Sequence, residues 1–114
     1  MFNLLPNTPN IAVFDTSFHS SIPVKAYTYP LPKEYRDIDM RKFGFHGTSV
    51  RYVAQKATSI LNSLTHSNGS SGTKPFQMIV CHLGNGASVT AVSGDKSMDT
   101  SMGFTPLSGL MMGT

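Results

Sequence analysis

Three features of the sequence predict an α/β fold. A short, wholly apolar run, Ile11-Ala12-Val13-Phe14, ends abruptly on Asp15. An amphipathic stretch follows from Val50 to Leu64. Beyond it, two β-rich runs, Met78 to Leu83 and Ala87 to Val92, flank Gly84-Asn85-Gly86. Strand, helix and hairpin thus occur in one chain of 114 residues, one domain's worth at most.

Residues 3–10 hold two prolines and three asparagines and read as loop. The run Ile11–Phe14 has no polar alternation, which predicts a strand buried on both faces. A carboxylate at the carboxyl end of such a strand, here Asp15, is where open α/β sheets keep their chemistry. A turn or helix-capping role for Asp15 fits the local pattern equally well. From Ser20 to Pro32, three prolines with Tyr27 and Tyr29 predict an extended connection whose aromatics cover apolar surface. Lys33–Met40 is polar and reads as a short helical turn.

Val50, Val53, Ala54, Ala57, Ile60, Leu61 and Leu64 recur at spacings of three and four, the signature of a long helix. Thr48 or Ser49 is the expected N-cap. His46 then stands just before a helix N-terminus, beside N–H groups that favour an anion; a histidine bonded only to its own loop is the plainer alternative. Residues 64–75 are rich in Ser and Gly and read as a mobile surface loop containing a solvated His66. The Gly69–Lys74 stretch lacks P-loop spacing, and Pro75 blocks the helix that a P-loop needs.

Gly84-Asn85-Gly86 is the shortest kind of reversal, built from residues that accept positive φ at low cost. A tip without bulky side chains exposes backbone N–H groups to an anion. His82 stands at its mouth, and Ser88 follows. An ordinary hairpin with a satisfied histidine is the plainer reading. Gly94-Asp95 predicts a second tight turn, leading into a third strand from Lys96 to Ser101. Residues 102–109 form a loop, and the chain stops in the apolar Leu110-Met111-Met112-Gly113-Thr114. With no partner strand evident for Ile11–Phe14 either, both ends read as cut from something larger.

Composition narrows the classes. Hydrophobic residues at 39% and charged residues at 13% describe a globular chain. Nine Lys+Arg against six Asp+Glu give a net charge of +3, scattered with no basic run, which argues against a nucleic-acid partner. The N-terminus has no basic n-region, and no apolar run reaches membrane-spanning length, so a cytoplasmic protein without a membrane partner is expected. The single cysteine, Cys81, falls in a β-rich run; it is expected to be a small buried residue in a reducing compartment. His19, His46, His66 and His82 do not form a ligand set, so no metal site of protein residues is expected. No G-x-S-x-G elbow points to a hydrolase.

Four segments, taken together, resemble the acetate kinase family, a branch of the actin/hexokinase/Hsp70-like superfamily. They are Val13–His19, Arg41–Ser49 (Arg-Lys-Phe-Gly-Phe-His-Gly-Thr-Ser), Cys81–Ser88 (Cys-His-Leu-Gly-Asn-Gly-Ala-Ser) and Asp99–Leu107. They occur in the family's order and spacing across nearly the whole chain from about Leu5, apart from residues 63–74. The resemblance implies part of an actin-like, ribonuclease H-like two-lobed kinase fold, with a β-hairpin phosphate loop and one long helix. Residues 1–19 would end the first-lobe sheet and residues 20–40 would connect the lobes. Residues 41–114 would open the second, nucleotide-binding lobe, with a flexible loop at 63–75.

The implied activity is reversible transfer of the ATP γ-phosphoryl to acetate, giving acetyl phosphate and ADP, with Mg²⁺. Propionate or butyrate kinase is the near alternative, and a truncated, non-catalytic fragment the other. The family's active-site aspartate falls on Asp15 and its transition-state-stabilising histidine on His46. Its ATP phosphate-binding segment falls on His82, Leu83, Gly84, Asn85 and Gly86. Acetate is comparable to a Glu side chain, with a pKa of about 4.3, and is already ionised at neutral pH, so Asp15 is assigned to the Mg²⁺ shell or to ordering water rather than to a proton. The family's usual histidine after His-Gly-Thr-Ser is Val50 here, and a glycine expected at the later turn is Asp95. The resemblance also implies groups outside this chain: an N-terminal phosphate loop, two arginines, an adenosine pocket and a Mg²⁺-linked glutamate. Relatives are homodimers by the same resemblance.

Overall fold

The computed structural model describes residues 4, 6–67 and 74–113, with the side chains of residues 66 and 67 excepted. The predicted reading of His66, and of residues 68–73 as a loop, lies outside them. A 3-10 turn, Ser17–Ser21, leads into two short helices, α1 (Val24–Tyr27) and α2 (Lys33–Asp37). A long helix, α3 (Gly47–Ser67), precedes strands β1 (Gln77–Leu83), β2 (Ala87–Ser93) and β3 (Lys96–Thr100). The strands form one antiparallel sheet in the order β1-β2-β3. Mixed helix and a small antiparallel sheet are the α/β character expected.

The hairpin is in the register its turn demands. Leu83 pairs with Ala87, His82 with Ser88, and Val80 with Thr90. Period-two alternation then sends Met78, Val80 and His82 of β1, with Ser88, Thr90 and Val92 of β2, to one face. Between Ala91 and Val92 the register of β3 shifts, so that Ala91 faces Asp99 but Val92 faces Ser97. Met98 is the extra residue of this bulge. It lets Ser97 and Thr100 both point inward despite their spacing of three.

The core lies between that face and the first half of α3. Val50 and Ala54 of the helix meet Val80 and Val92 of the sheet, with Phe18 and Met78 at the margin. The helical spacing read from sequence holds, but farther along α3 the apolar side chains of Ile60, Leu61 and Leu64 are exposed. Residues 64–67, expected in the loop, continue α3, because nothing before Gly69 interrupts the helix.

Three other expectations are corrected. Ile11–Phe14 is not a strand: it has no β-partner among the described residues, and Ile11, Val13 and Phe14 are 84%, 74% and 66% exposed. An apolar run without a neighbouring strand has no ladder to join. The connection from Ser20 is not extended throughout, since Pro23 presets the backbone for α1, whose Thr28 N–H bonds to Val24 O. Cys81 is exposed, because it shares the outer face of β1 with Gln77, Ile79 and Leu83.

The segment before α3 is tied down on both sides. Lys42 N–H donates to Tyr27 O, and the N–H groups of Phe43 and Gly44 both reach Gly103 O. The Arg41 guanidinium sits 3.8 Å over the Tyr27 ring. Lys42 Nζ bonds Asp99 Oδ1 at 2.6 Å and Thr100 O at 3.0 Å. At Gly44 the backbone has φ +73°, and a Cβ there would lie 2.5 Å from Thr100 Cγ2 and 2.9 Å from the His19 ring. Only glycine lets the chain cross His19 this closely.

Candidate active site

Asp15, His46, His82 and the Gly84–Gly86 tip, all singled out from the sequence, converge where the start of α3 meets the hairpin. Asp15 grips the helix start twice. Its carboxylate Oδ2 accepts the His46 N–H at 2.6 Å, and its carbonyl accepts the Gly47 N–H at 2.8 Å. The helix therefore begins at Gly47, with the His46 carbonyl taking the Val50 N–H at 2.9 Å. Neither Thr48 nor Ser49 is the cap. The capping oxygens come from Asp15, 31 residues away, and satisfy donors that helix starts leave unpaired.

His46 itself has φ +62°, the left-handed region, which is sparsely occupied by residues other than glycine. The Asp15 contacts on either side of it hold this conformation. Its effect is to turn the imidazole off the helix and onto the hairpin. There the His46 ring stacks on His82 with centroids 4.0 Å apart and planes 18° from parallel. Each ring is anchored through Nδ1 on a serine: His46 on Ser88 Oγ at 3.0 Å, His82 on Ser49 Oγ at 2.9 Å. The two Nε2 atoms are left toward the glycine tip. A Cβ on Gly86 would lie 2.7 Å from His46 Nε2, and one on Gly84 would lie 3.9 Å from His82 Nε2.

The tip closes through Gly84 N–H to Gly86 O at 2.9 Å, and Asn85 O accepts Gly113 N–H at 3.1 Å. Gly84, Asn85 and Gly86 do not use positive φ, contrary to the expectation for this turn; Gly94, at the next turn, does. What requires glycine at position 86 is the space occupied by His46. Leu83 is exposed and points away from the stacked rings, on the face opposite His82.

Burial holds His46 below its ordinary histidine range; neighbouring His82 acts in the same direction and Asp15 opposes. A neutral imidazole has one N–H donor, so the proton's position decides what the ring can do. His19 is a separate, wholly buried histidine. Its Nε2–H donates to Phe45 O at 2.8 Å, and its Nδ1 pairs with Ser97 Oγ at 2.9 Å. Its pKa is lowered chiefly by burial, with the Phe45 carbonyl opposing.

Among the described residues no group of three or more His, Cys, Asp or Glu is placed to hold a metal ion. Asp15 is the one carboxylate at this site, with Oδ2 engaged by His46 and Oδ1 free of any protein bond among the described residues. Mg²⁺ in nucleotide sites typically takes one or two carboxylates, the remainder being phosphate oxygens and water. A single carboxylate oxygen fits that demand as one ligand or as a holder of a ligand water.

Sequence reasoning named Asp15, His46 and the hairpin but missed the serine anchors as such. Ser88 was recoverable, since a three-residue turn centred on Asn85 must place it opposite His82. Ser49 was noticed for the wrong role.

A chain-wide match to the Acetokinase family model covers residues 1–114. The chain belongs to the acetokinase family. It is 54% identical over 112 residues to the acetate kinase of Pseudothermotoga lettingae and 53% identical to that of Staphylococcus haemolyticus. Each alignment takes in 97% of the chain but 26% of the relative, so the chain spans about a quarter of those enzymes' length. Among solved structures, a propionate kinase from Francisella tularensis matches with a TM-score of 0.83 at 46% identity. An acetate kinase from Porphyromonas gingivalis matches with a TM-score of 0.81 at 42% identity. Both alignments cover 99% of this chain and 27% of the other. Val50, where the resemblance led to the expectation of a histidine, is fully buried in the core. Asp95, where a glycine was expected, follows Gly94, which supplies the turn's positive φ.

Proposed function

We propose that this chain is the catalytic-centre portion of a carboxylate kinase whose parent enzyme transfers the ATP γ-phosphoryl to acetate. The observation that carries the proposal is the stacked His46–His82 pair, both Nε2 edges against the Gly84–Gly86 tip, beside the Asp15-held helix start.

In this reading the hairpin's His82, Leu83, Gly84, Asn85 and Gly86 cradle the ATP phosphates, Leu83 through its backbone, since its side chain points away. His46 donates from Nε2 to the phosphoryl group in flight, where charge is spread over its equatorial oxygens. Acetate attacks as the carboxylate, so no residue here removes a proton. Asp15 fixes the His46 backbone with Oδ2 and offers Oδ1 to Mg²⁺ or to a water of its shell. Mg²⁺, when bound, supplies charge neutralisation on the phosphates. Residues 1–19 end the first lobe of an actin-like fold, residues 20–40 connect, and residues 41–114 open the nucleotide-binding lobe. A cytoplasmic homodimer is the compartment and assembly that this reading carries. No helix among the described residues is long and apolar enough to cross a membrane.

The propionate kinase match favours a second reading, in which the acyl acceptor is one carbon longer. One extra methylene in an apolar pocket is worth about 1–3 kcal/mol, so relative kcat/KM on acetate and propionate discriminates the two.

The test is acetyl-phosphate formation, trapped with hydroxylamine. The chain alone is expected to be silent. Replacing the matching quarter of the Staphylococcus haemolyticus acetate kinase with this chain is expected to give an active chimera. His46→Ala in the chimera should lower kcat by roughly 10²–10³-fold, the effect of losing one oxyanion donor. An inactive but folded chimera, or an indifferent His46→Ala, defeats the proposal. Asp15→Asn should lose rate that higher Mg²⁺ partly restores; indifference to Mg²⁺ removes Asp15 from the metal shell.

A further inference from the structure

Ser88 is 0% exposed, and its hydroxyl has one partner among the described residues, the Nδ1 of His46 at 3.0 Å. A hydroxyl carries one proton and can also accept. If His46 Nδ1 carried the ring proton, it would donate to Ser88 Oγ and leave the serine proton buried with no acceptor. A buried polar hydrogen left without an acceptor is costly. Donation from Ser88 O–H to Nδ1 satisfies both groups, and the neutral ring then carries its proton on Nε2, the atom facing the tip. The second serine does not give the same answer. Ser49 is half-buried, so water can take its proton, and the His82 tautomer stays free to change.

We infer that Ser88 is a positioning residue that holds neutral His46 in the tautomer with its proton on Nε2. The hairpin register makes this possible, since Ser88 sits directly across from His82 and so beneath the ring stacked upon it. His19 shows the same tautomer by a different device. Its Nε2 meets a carbonyl, which can only accept, so its Nδ1 must be the acceptor of the Ser97 hydroxyl. The structural inference stands on geometry alone; its catalytic consequence rests on His46 being the phosphoryl donor partner.

The test is a long-range ¹H–¹⁵N correlation of the histidine rings in the full ¹⁵N-labelled chain, at a pH well above the ordinary histidine value of about 6.5, below which burial holds His46. Native His46 is expected to show a bare, pyridine-like Nδ1 and a protonated Nε2. A protonated Nδ1 in the native chain overturns the inference without any variant. Ser88→Ala, with its fold checked by the backbone amide spectrum, should shift His46 Nδ1 toward the protonated position or give a second set of ring signals. Ser88→Thr, which keeps the hydroxyl, should restore the native pattern. An unchanged His46 pattern in Ser88→Ala overturns the inference.

In the chimera, Ser88→Ala should lower kcat by about tenfold while leaving the KM for ATP in place, a fraction of the loss from removing the donor outright. A shifted tautomer with unchanged kcat upholds Ser88 as the positioning residue and defeats His46 as the donor.

Discussion

At His46 three constraints meet on one side chain. A left-handed backbone aims the ring, a serine holds Nδ1, and Gly86 leaves room for Nε2. Gly86→Ala tests the third. The new methyl would stand 2.7 Å from Nε2, and a ring pinned by Ser88 and stacked on His82 has little room to yield. The displacement should lower chimera kcat by about 10²-fold, since a 1 Å misplacement is worth that much. Native kcat would show that the ring moves freely. Ser97→Ala probes His19, the wholly buried histidine. It leaves His19 Nδ1 without its donor at a site 0% exposed, and a lost buried partner costs about 1–3 kcal/mol. The urea midpoint of the chain should fall accordingly. His19 was invisible as a structural residue in the sequence because its partner Ser97 lies 78 residues away.

At the level of elements, α3 is started from outside itself. Asp15→Ala should destabilise the chain by about 1 kcal/mol, the usual worth of a cap, while Asp15→Asn keeps an acceptor and should lose less. Faster amide exchange at His46 and Gly47 in Asp15→Ala, ahead of the rest of α3, is the measurement that locates the effect. Equal exchange throughout would mean the carboxylate does not hold the helix end. The body of α3, the hairpin and its partner β3 were legible because their signals are local: a 3.6-residue period, a two-residue period, glycine turns. The cap was not, because Ser49 and Thr48 look like caps while the working oxygens lie 31 residues upstream. Cys81 was misplaced for a related reason. β1 carries apolar residues on both faces, so its alternation does not say which face is covered.

For the whole molecule, acid sensitivity follows from His19. Burial lowers its folded pKa below the ordinary 6.5, so the unfolded chain binds its proton more readily. Its contribution to stability is complete above about pH 6.5 and is lost as pH falls through the lowered value. His46, with a pKa lowered in the same direction but half-exposed, adds a smaller part. Urea melts from pH 7.5 to 5 should show falling stability, flattened by His19→Gln; a pH-independent midpoint would contradict this. Exposed apolar side chains at Ile60, Leu64, Ile79, Leu83 and Phe14 should make the isolated chain associate with rising concentration. Sedimentation velocity would read that directly, and a monomer at all concentrations would count against it. The predicted strand at Ile11–Phe14 failed at this scale, since a strand needs neighbours and the described residues supply none.

His82 and Ser88 face each other only because three residues separate Leu83 from Ala87. One residue added at the tip that slipped the register by one would turn the side chains of β2 to the other face and part the serine beneath His46 from the ring stacked on His82. Turn length is therefore a tuning parameter of the site as well as of the sheet.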